Sequence, residues 1–103
     1  MGWADRHIKD LQDGKTVRFR PRGNSMEPRI SSGDLVTVEP IKDSDELEVS
    51  DIVLCTVKGN QYLHLVLQLS EHGERVFIGN NKGHENGWTS FDRVYGRVTK
   101  VEP

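Results

Sequence analysis

Ile52-Val53-Leu54-Cys55-Thr56-Val57-Lys58-Gly59-Asn60-Gln61-Tyr62-Leu63-His64-Leu65-Val66-Leu67-Gln68-Leu69 reads as two strands joined by a tight turn. The run 52–58 is rich in β-branched residues, and Gly59-Asn60 has the turn chemistry of a hairpin. In the run 61–69, side chains alternate between faces. Leu63, Leu65, Leu67 and Leu69 share one face, and Tyr62, His64, Val66 and Gln68 share the other. The leucine face is read as core. His64 is therefore directed to the second face, toward a cleft, a neighbouring strand or water.

The same punctuation continues on both sides. Residues 16–20 alternate, with Val17 and Phe19 opposite Arg18 and Arg20, and Pro21 ends the strand. Residues 35–39 form a second strand stopped by Pro40, and 42–48 a charged loop. A turn at 71–74, a strand at 75–78, a Gly- and Asn-rich loop at 79–90 and a last strand at 93–101 complete the chain. Near the start, Trp3, Ile8 and Leu11 recur at helical spacing, and Gly14 can end that helix. Strands at such short intervals predict an all-β, mainly antiparallel fold with a short N-terminal helix, not a βαβ arrangement. With 103 residues there is room for one small domain. We divide it into an N-terminal helical extension, 1–15, and a β domain, 16–103.

Composition narrows the function classes. The net charge of −2 provides no general electrostatic drive toward nucleic acid or membrane. No run approaches the roughly 18 apolar residues of a membrane span, and the first residues lack the apolar stretch of a signal peptide. A cytoplasmic setting is expected, also because Cys55 is the single cysteine and has no partner for an internal disulfide. His7, His64, His72 and His84 are scattered, without metal-like spacing, so neither metal nor cofactor is expected.

Residues 24–33 differ from the strands. Asn24 or Ser25 can cap a short helical turn, Pro28 suits its first turn, and Gly33 can close it. Gly23 lets the chain bend ahead of Ser25. A serine at the mouth of such a turn lies beside unpaired N–H groups, which suits a nucleophile with an oxyanion site. The same pattern is an ordinary capping arrangement, which spacing alone favours. An unperturbed histidine can act as a base near neutral pH, which makes His64 the candidate base. Its own pattern alone favours the plainer reading, a histidine on a half-exposed sheet face. Arg18, Arg20, Arg22 and Arg29 form a basic cluster beside Ser25. Cys55 is read as a buried small residue, and Trp88 as an anchor for the 79–90 loop.

Gly23-Asn24-Ser25-Met26-Glu27-Pro28, followed by Gly33-Asp34-Leu35-Val36-Thr37-Val38, resembles the Gly-x-Ser-Met-x-Pro and Gly-Asp-x-Val-x-Val signature of the LexA repressor and type I signal peptidase superfamily. Asp51-Ile52-Val53-Leu54 resembles that superfamily's second Gly-Asp-Ile-Val strand, with Ser50 in place of the glycine. Tyr62-Leu63-His64-Leu65-Val66 falls where the superfamily carries its general base. Gly79-Asn80-Asn81-Lys82 and Tyr95-Gly96-Arg97-Val98 resemble its C-terminal Gly-Asp-Asn-Arg box and closing strand.

The resemblance implies a coiled β fold and peptide-bond hydrolysis by serine, spanning residues 16–101. Bacterial signal peptidases and LexA-type repressors use lysine as base. Here His64 takes that place, as in the archaeal and endoplasmic-reticulum signal peptidase branch. The implied catalytic residues are Ser25 and His64. Gly23, Asn24 and Met26, with the Ser25 N–H, are the oxyanion or substrate-binding candidates. Asn80, where the superfamily has an aspartate, and Glu85 or Asp92 are the candidates for orienting His64.

The expected function is that of a soluble serine peptidase-like domain acting on a peptide or protein substrate. The alternative is a catalytically inactive peptide- or protein-binding module on the same fold, with a link to a phage or mobile-element regulator as the weaker idea. Repressor C-terminal halves dimerise, so a homodimer is in view. The residues ahead of 16 are too few for a helix-turn-helix, so direct nucleic-acid binding is not expected.

Overall fold

The computed structural model describes residues 2–103; Met1, in the expected N-terminal extension, lies outside them. One helix, α1 (Asp5–Gln12), precedes seven strands: β1 (Val17–Phe19), β2 (Leu35–Pro40), β3 (Ile52–Val57), β4 (Asn60–Leu69), β5 (Arg75–Gly79), β6 (Glu85–Ser90) and β7 (Val94–Glu102). The strands form one sheet in the order β1-β2-β7-β3-β4-β5-β6, and every neighbouring pair is antiparallel. The expected fold class is therefore observed. Among the described residues no helix is long and apolar enough to cross a membrane.

The β3–β4 hairpin pairs Ile52 with Leu65 through Val57 with Asn60. Its turn residues are Lys58 and Gly59, at φ 52° and 84°, one position earlier than the expected Gly59-Asn60. Positive φ at both central residues is the geometry that follows the right-handed twist of the flanking strands. Asn60 is thereby released into β4.

Central strand β3 is covered on both sides. Ile52 and Leu54 join a core made with Ile8 and Leu11 of α1, Val36 and Val38 of β2, and the Leu63–Leu65 pair. Val53, Cys55 and Val57 join a second core with Val66, Val76, Ile78 and Val94. Burial on both faces is why β3 lacks polar alternation. The leucine stripe of β4 divides between the two cores. Leu63, Leu65 and Leu67 pack in the first, whereas Leu69 packs against the second. A register shift between Val66 and Gln68 leaves Leu67 as an extra residue, and such a bulge reverses the facing of everything beyond it.

Two expected loops contain structure. The charged loop holds a single 3-10 turn, Ser44–Glu46, with a reciprocal capping box between Asp43 and Glu46. The expected loop 79–90 contributes the edge strand β6, paired with β5 from Arg75↔Ser90 to Gly79↔Glu85. Its sequence is polar because the backbone supplies the pairing and one edge faces solvent. Thr89 is its buried residue, and the Thr89 hydroxyl donates to the Thr56 carbonyl at 2.7 Å, drawing β6 back over β3. Trp88 lies opposite Phe77, with ring centroids 5.1 Å apart.

Candidate active site

The connection between β1 and β2 is a folded loop pinched at its neck. Gly33 N–H donates to the Pro21 carbonyl at 3.0 Å, Gly23 N–H to Ser32 Oγ at 3.2 Å, and Arg20 Nη1 to the Gly33 carbonyl at 2.7 Å. Gly23 adopts φ 104°, a left-handed conformation that side chains resist. Where a short helical turn is expected, residues 25–29 form hydrogen-bonded turns, Glu27 N–H to the Asn24 carbonyl and Ile30 N–H to the Met26 carbonyl, that do not extend into a regular helix. Pro28 has no N–H to give a helical ladder, and it disfavours helical backbone at Glu27. Met26 and Ile30 are buried and anchor the loop in the first core.

That anchoring presents Ser25. Its Oγ lies 3.3 Å from Nε2 of His64, and His64 Nδ1 lies 2.8 Å from Oδ1 of Asn86. An amide oxygen only accepts, so Nδ1 carries the proton and donates it to Asn86. Nε2 is then the acceptor for the Ser25 hydroxyl. The Tyr62 ring stacks beside His64 at 4.9 Å between centroids. His64 is buried, and burial is the main cause that holds its pKa below the ordinary histidine value; the Asn86 bond opposes this and nearby His84 adds to it.

The residues expected to orient His64 lie elsewhere. The side-chain oxygen of Asn80 accepts from the N–H groups of Lys82 and His84, closing its own loop. Glu85 is exposed at the start of β6, and Asp92 sits in the turn Phe91–Arg93. Asn86 holds the imidazole instead. Pairing jumps from Ile78↔Gly87 to Gly79↔Glu85, so Asn86 is the extra residue of a bulge. Bulges re-aim side chains, and this one carries Asn86 across β5 to His64 on β4. Gly79 permits the approach: a Cβ there would come 2.7 Å from the His84 carbonyl oxygen and would overlap Leu67.

The neighbouring Asn81 has a role that the sequence pattern did not suggest. Its N–H donates to the Ser25 carbonyl at 3.1 Å, and its side-chain amide to the Glu27 carbonyl at 2.7 Å. The loop after β5 thus clamps the serine turn. Among the oxyanion candidates, Gly23 N–H is engaged with Ser32, and Asn24 contributes its carbonyl to Glu27 N–H at 3.2 Å. Among the described residues the N–H groups of Ser25 and Met26 donate to no protein acceptor.

A cavity of about 420 Å³ opens beside Ser25 and His64, and Arg20, Arg22, Gly23 and Met26 also line it. The basic cluster expected from the sequence is divided: Arg18 Nε donates to Thr37 Oγ1 at 3.3 Å, and Arg29 lies in a separate depression with Asp51. Among the described residues no group of three or more His, Cys, Asp or Glu side chains could hold a metal ion.

In comparison with known families, the chain matches the family described as Peptidase S24-like over residues 5–99. No curated protein matches the chain.

Proposed function

The chain belongs to the Peptidase S24-like family, and from that premise we propose that it is a serine peptidase in which Ser25 is the nucleophile and His64 its general base. The observation that carries this is the relay of contacts from Ser25 Oγ to His64 Nε2 and from His64 Nδ1 to Asn86 Oδ1, at 3.3 and 2.8 Å. Nucleophile, base and orienting group stand in the order that serine catalysis requires. The Ser25–His64 separation is at the long end of hydrogen-bond reach, as is common before substrate binds.

In this scheme Ser25 Oγ bonds to the substrate carbonyl carbon while Nε2 takes the hydroxyl proton. The free N–H groups of Ser25 and Met26 are the donors available to the developing oxyanion. His64 then returns the proton to the leaving amine, and water hydrolyses the acyl-enzyme by the same base. An amide at Nδ1 fixes the tautomer but brings no negative charge to the imidazolium. Burial, which favours neutral imidazole, works in the same direction, so the base is weak but unprotonated at neutral pH.

The test is covalent labelling with a fluorophosphonate probe together with hydrolysis of a mixed peptide pool. Wild type should be labelled on Ser25, Ser25→Ala should lose both label and turnover, and His64→Ala should lose turnover while keeping the native circular dichroism spectrum. Equal labelling of wild type and Ser25→Ala would overturn the assignment. The uncharged Asn86 favours one second reading, a peptide-binding module without turnover. Peptide binding with no hydrolysis up to pH 8 is its expected signature.

A further inference from the structure

The cavity beside Ser25 is walled by rings drawn from separate parts of the chain: Trp3 and His7 from the N-terminal segment, Phe19 from β1 and Tyr62 from β4. His7 stacks on Phe19 at 4.3 Å, and Trp3 meets the same ring edge-on at 5.7 Å. Buried Met26, Ile30 and Leu63 form its floor. The N-terminal segment is tied in place: Ala4 N–H donates to Gln61 Oε1 at 2.8 Å, and Trp3 Nε1 donates to the Gln61 carbonyl at 3.4 Å. Trp3 is nevertheless 55% exposed. A tethered indole left open at the mouth of an apolar cavity is a surface prepared for a ligand.

Size and charge limit what that ligand is. At about 420 Å³ the space falls within the range of ligand sites, roughly 300–1,000 Å³, and a methyl side chain would leave it nearly empty. Arg20 and Arg22 are exposed where they line it. Among the described residues the ion pairs are Arg97–Asp51 and Lys100–Glu102, so neither arginine has a carboxylate partner. Arg20 uses one N–H on the Gly33 carbonyl and keeps its other donors. An apolar cavity with free guanidinium groups at its edge matches an aromatic group flanked by a carboxylate.

We propose that this cavity selects peptides with a bulky aromatic residue next to an acidic residue at the scissile bond, the N-terminal segment acting as a specificity wall. The placement at the scissile bond rests on the Ser25–His64 reading; the ligand chemistry rests on the cavity alone. Trp3, His7, Arg20 and Arg22 are thus binding residues that set specificity.

The experiment compares quenched fluorogenic peptides with Phe or Ala at the variable position and Asp or Lys beside it, using the full chain. The Phe-Asp peptide should exceed the Ala-Asp peptide in kcat/KM by about tenfold or more. Trp3→Ala should erase that ratio by raising KM for the Phe peptide. Arg22→Glu should reverse the preference between Asp and Lys. Equal or better cleavage of the Ala peptide, or a ratio unchanged in Trp3→Ala, overturns the proposal. Binding of the same peptides to Ser25→Ala, followed by fluorescence anisotropy, separates the two readings. Selective Phe-Asp binding with no hydrolysis by wild type supports the cavity assignment and removes the peptidase. Labelling of Ser25 without side-chain preference in either assay retains the peptidase and overturns the cavity assignment.

Discussion

At the scale of single residues, the proposed chemistry depends on the two nitrogens of His64. Asn86 takes the proton-bearing Nδ1, leaving Nε2 free for Ser25. Asn86→Ala should let the ring adopt the other tautomer, and turnover should fall by about 10² or more while Ser25 stays in place. Asn86→Asp should raise the His64 pKa, because a carboxylate favours imidazolium; NMR titration of the ring protons measures the shift, and a pKa unchanged from wild type would contradict the assigned contact. In wild type, burial places the pKa below the ordinary value of about 6.5. The acidic limb of kcat/KM against pH should therefore lie below about 6.5. The sign for stability is the same. The unfolded chain takes up the proton first as pH falls, so the contribution of His64 is complete above about 6.5 and is lost as pH drops toward its folded value. Urea midpoints at pH 7.5 and 5.0 should differ more for wild type than for His64→Gln.

At the scale of elements, turns and bulges carry the site. Ser50 ends the turn before β3 at φ 81°, where the family resemblance has glycine. A non-glycine residue in the left-handed region costs about 1–2 kcal/mol, against roughly 0.5–1 kcal/mol for the extra freedom of glycine in the unfolded chain. Ser50→Gly should accordingly stabilise the fold by about 0.5–1 kcal/mol, seen as a raised Tm. The opposite outcome is expected at Gly79, where the His84 carbonyl and Leu67 occupy the space of a Cβ. Gly79→Ala should cost about 1–3 kcal/mol by overpacking. Because the strain falls between β5 and the Asn86 bulge, turnover should decline further than the lost stability explains. Activity measured well below the variant's melting temperature distinguishes the two effects.

At the scale of the whole molecule, one strand joins two cores. Leu54 is fully buried in the first and Cys55 in the second. Leu54→Ala should destabilise by about 2–5 kcal/mol, measured by denaturant titration. Burial pushes the Cys55 thiol up to about 12, so it should resist a thiol reagent in the native protein and react only on unfolding. The sheet also decides how much could be read in advance. Alternation in 52–69 identified the hairpin, because a half-buried strand repeats every second residue. The Ser25 and His64 candidates were legible through resemblance to a known family; their spacing alone favoured a helix cap and a surface histidine. Leu69 was misplaced because a bulge leaves no mark in an unbroken leucine alternation. β6 and Asn86 were hidden because a polar edge strand takes its order from backbone pairing with β5, not from its own side chains. The amino-acid order by itself determined the antiparallel β class and the central hairpin through local periodicity, and it marked the two candidate reactive groups through their resemblance to a known family. Only the tertiary structure decided that Asn86, not Asn80, holds the imidazole, and that Trp3 and His7 wall the cavity beside Ser25. Those contacts join segments far apart in the chain, and sheet register, bulges and the docking of α1 set their distances.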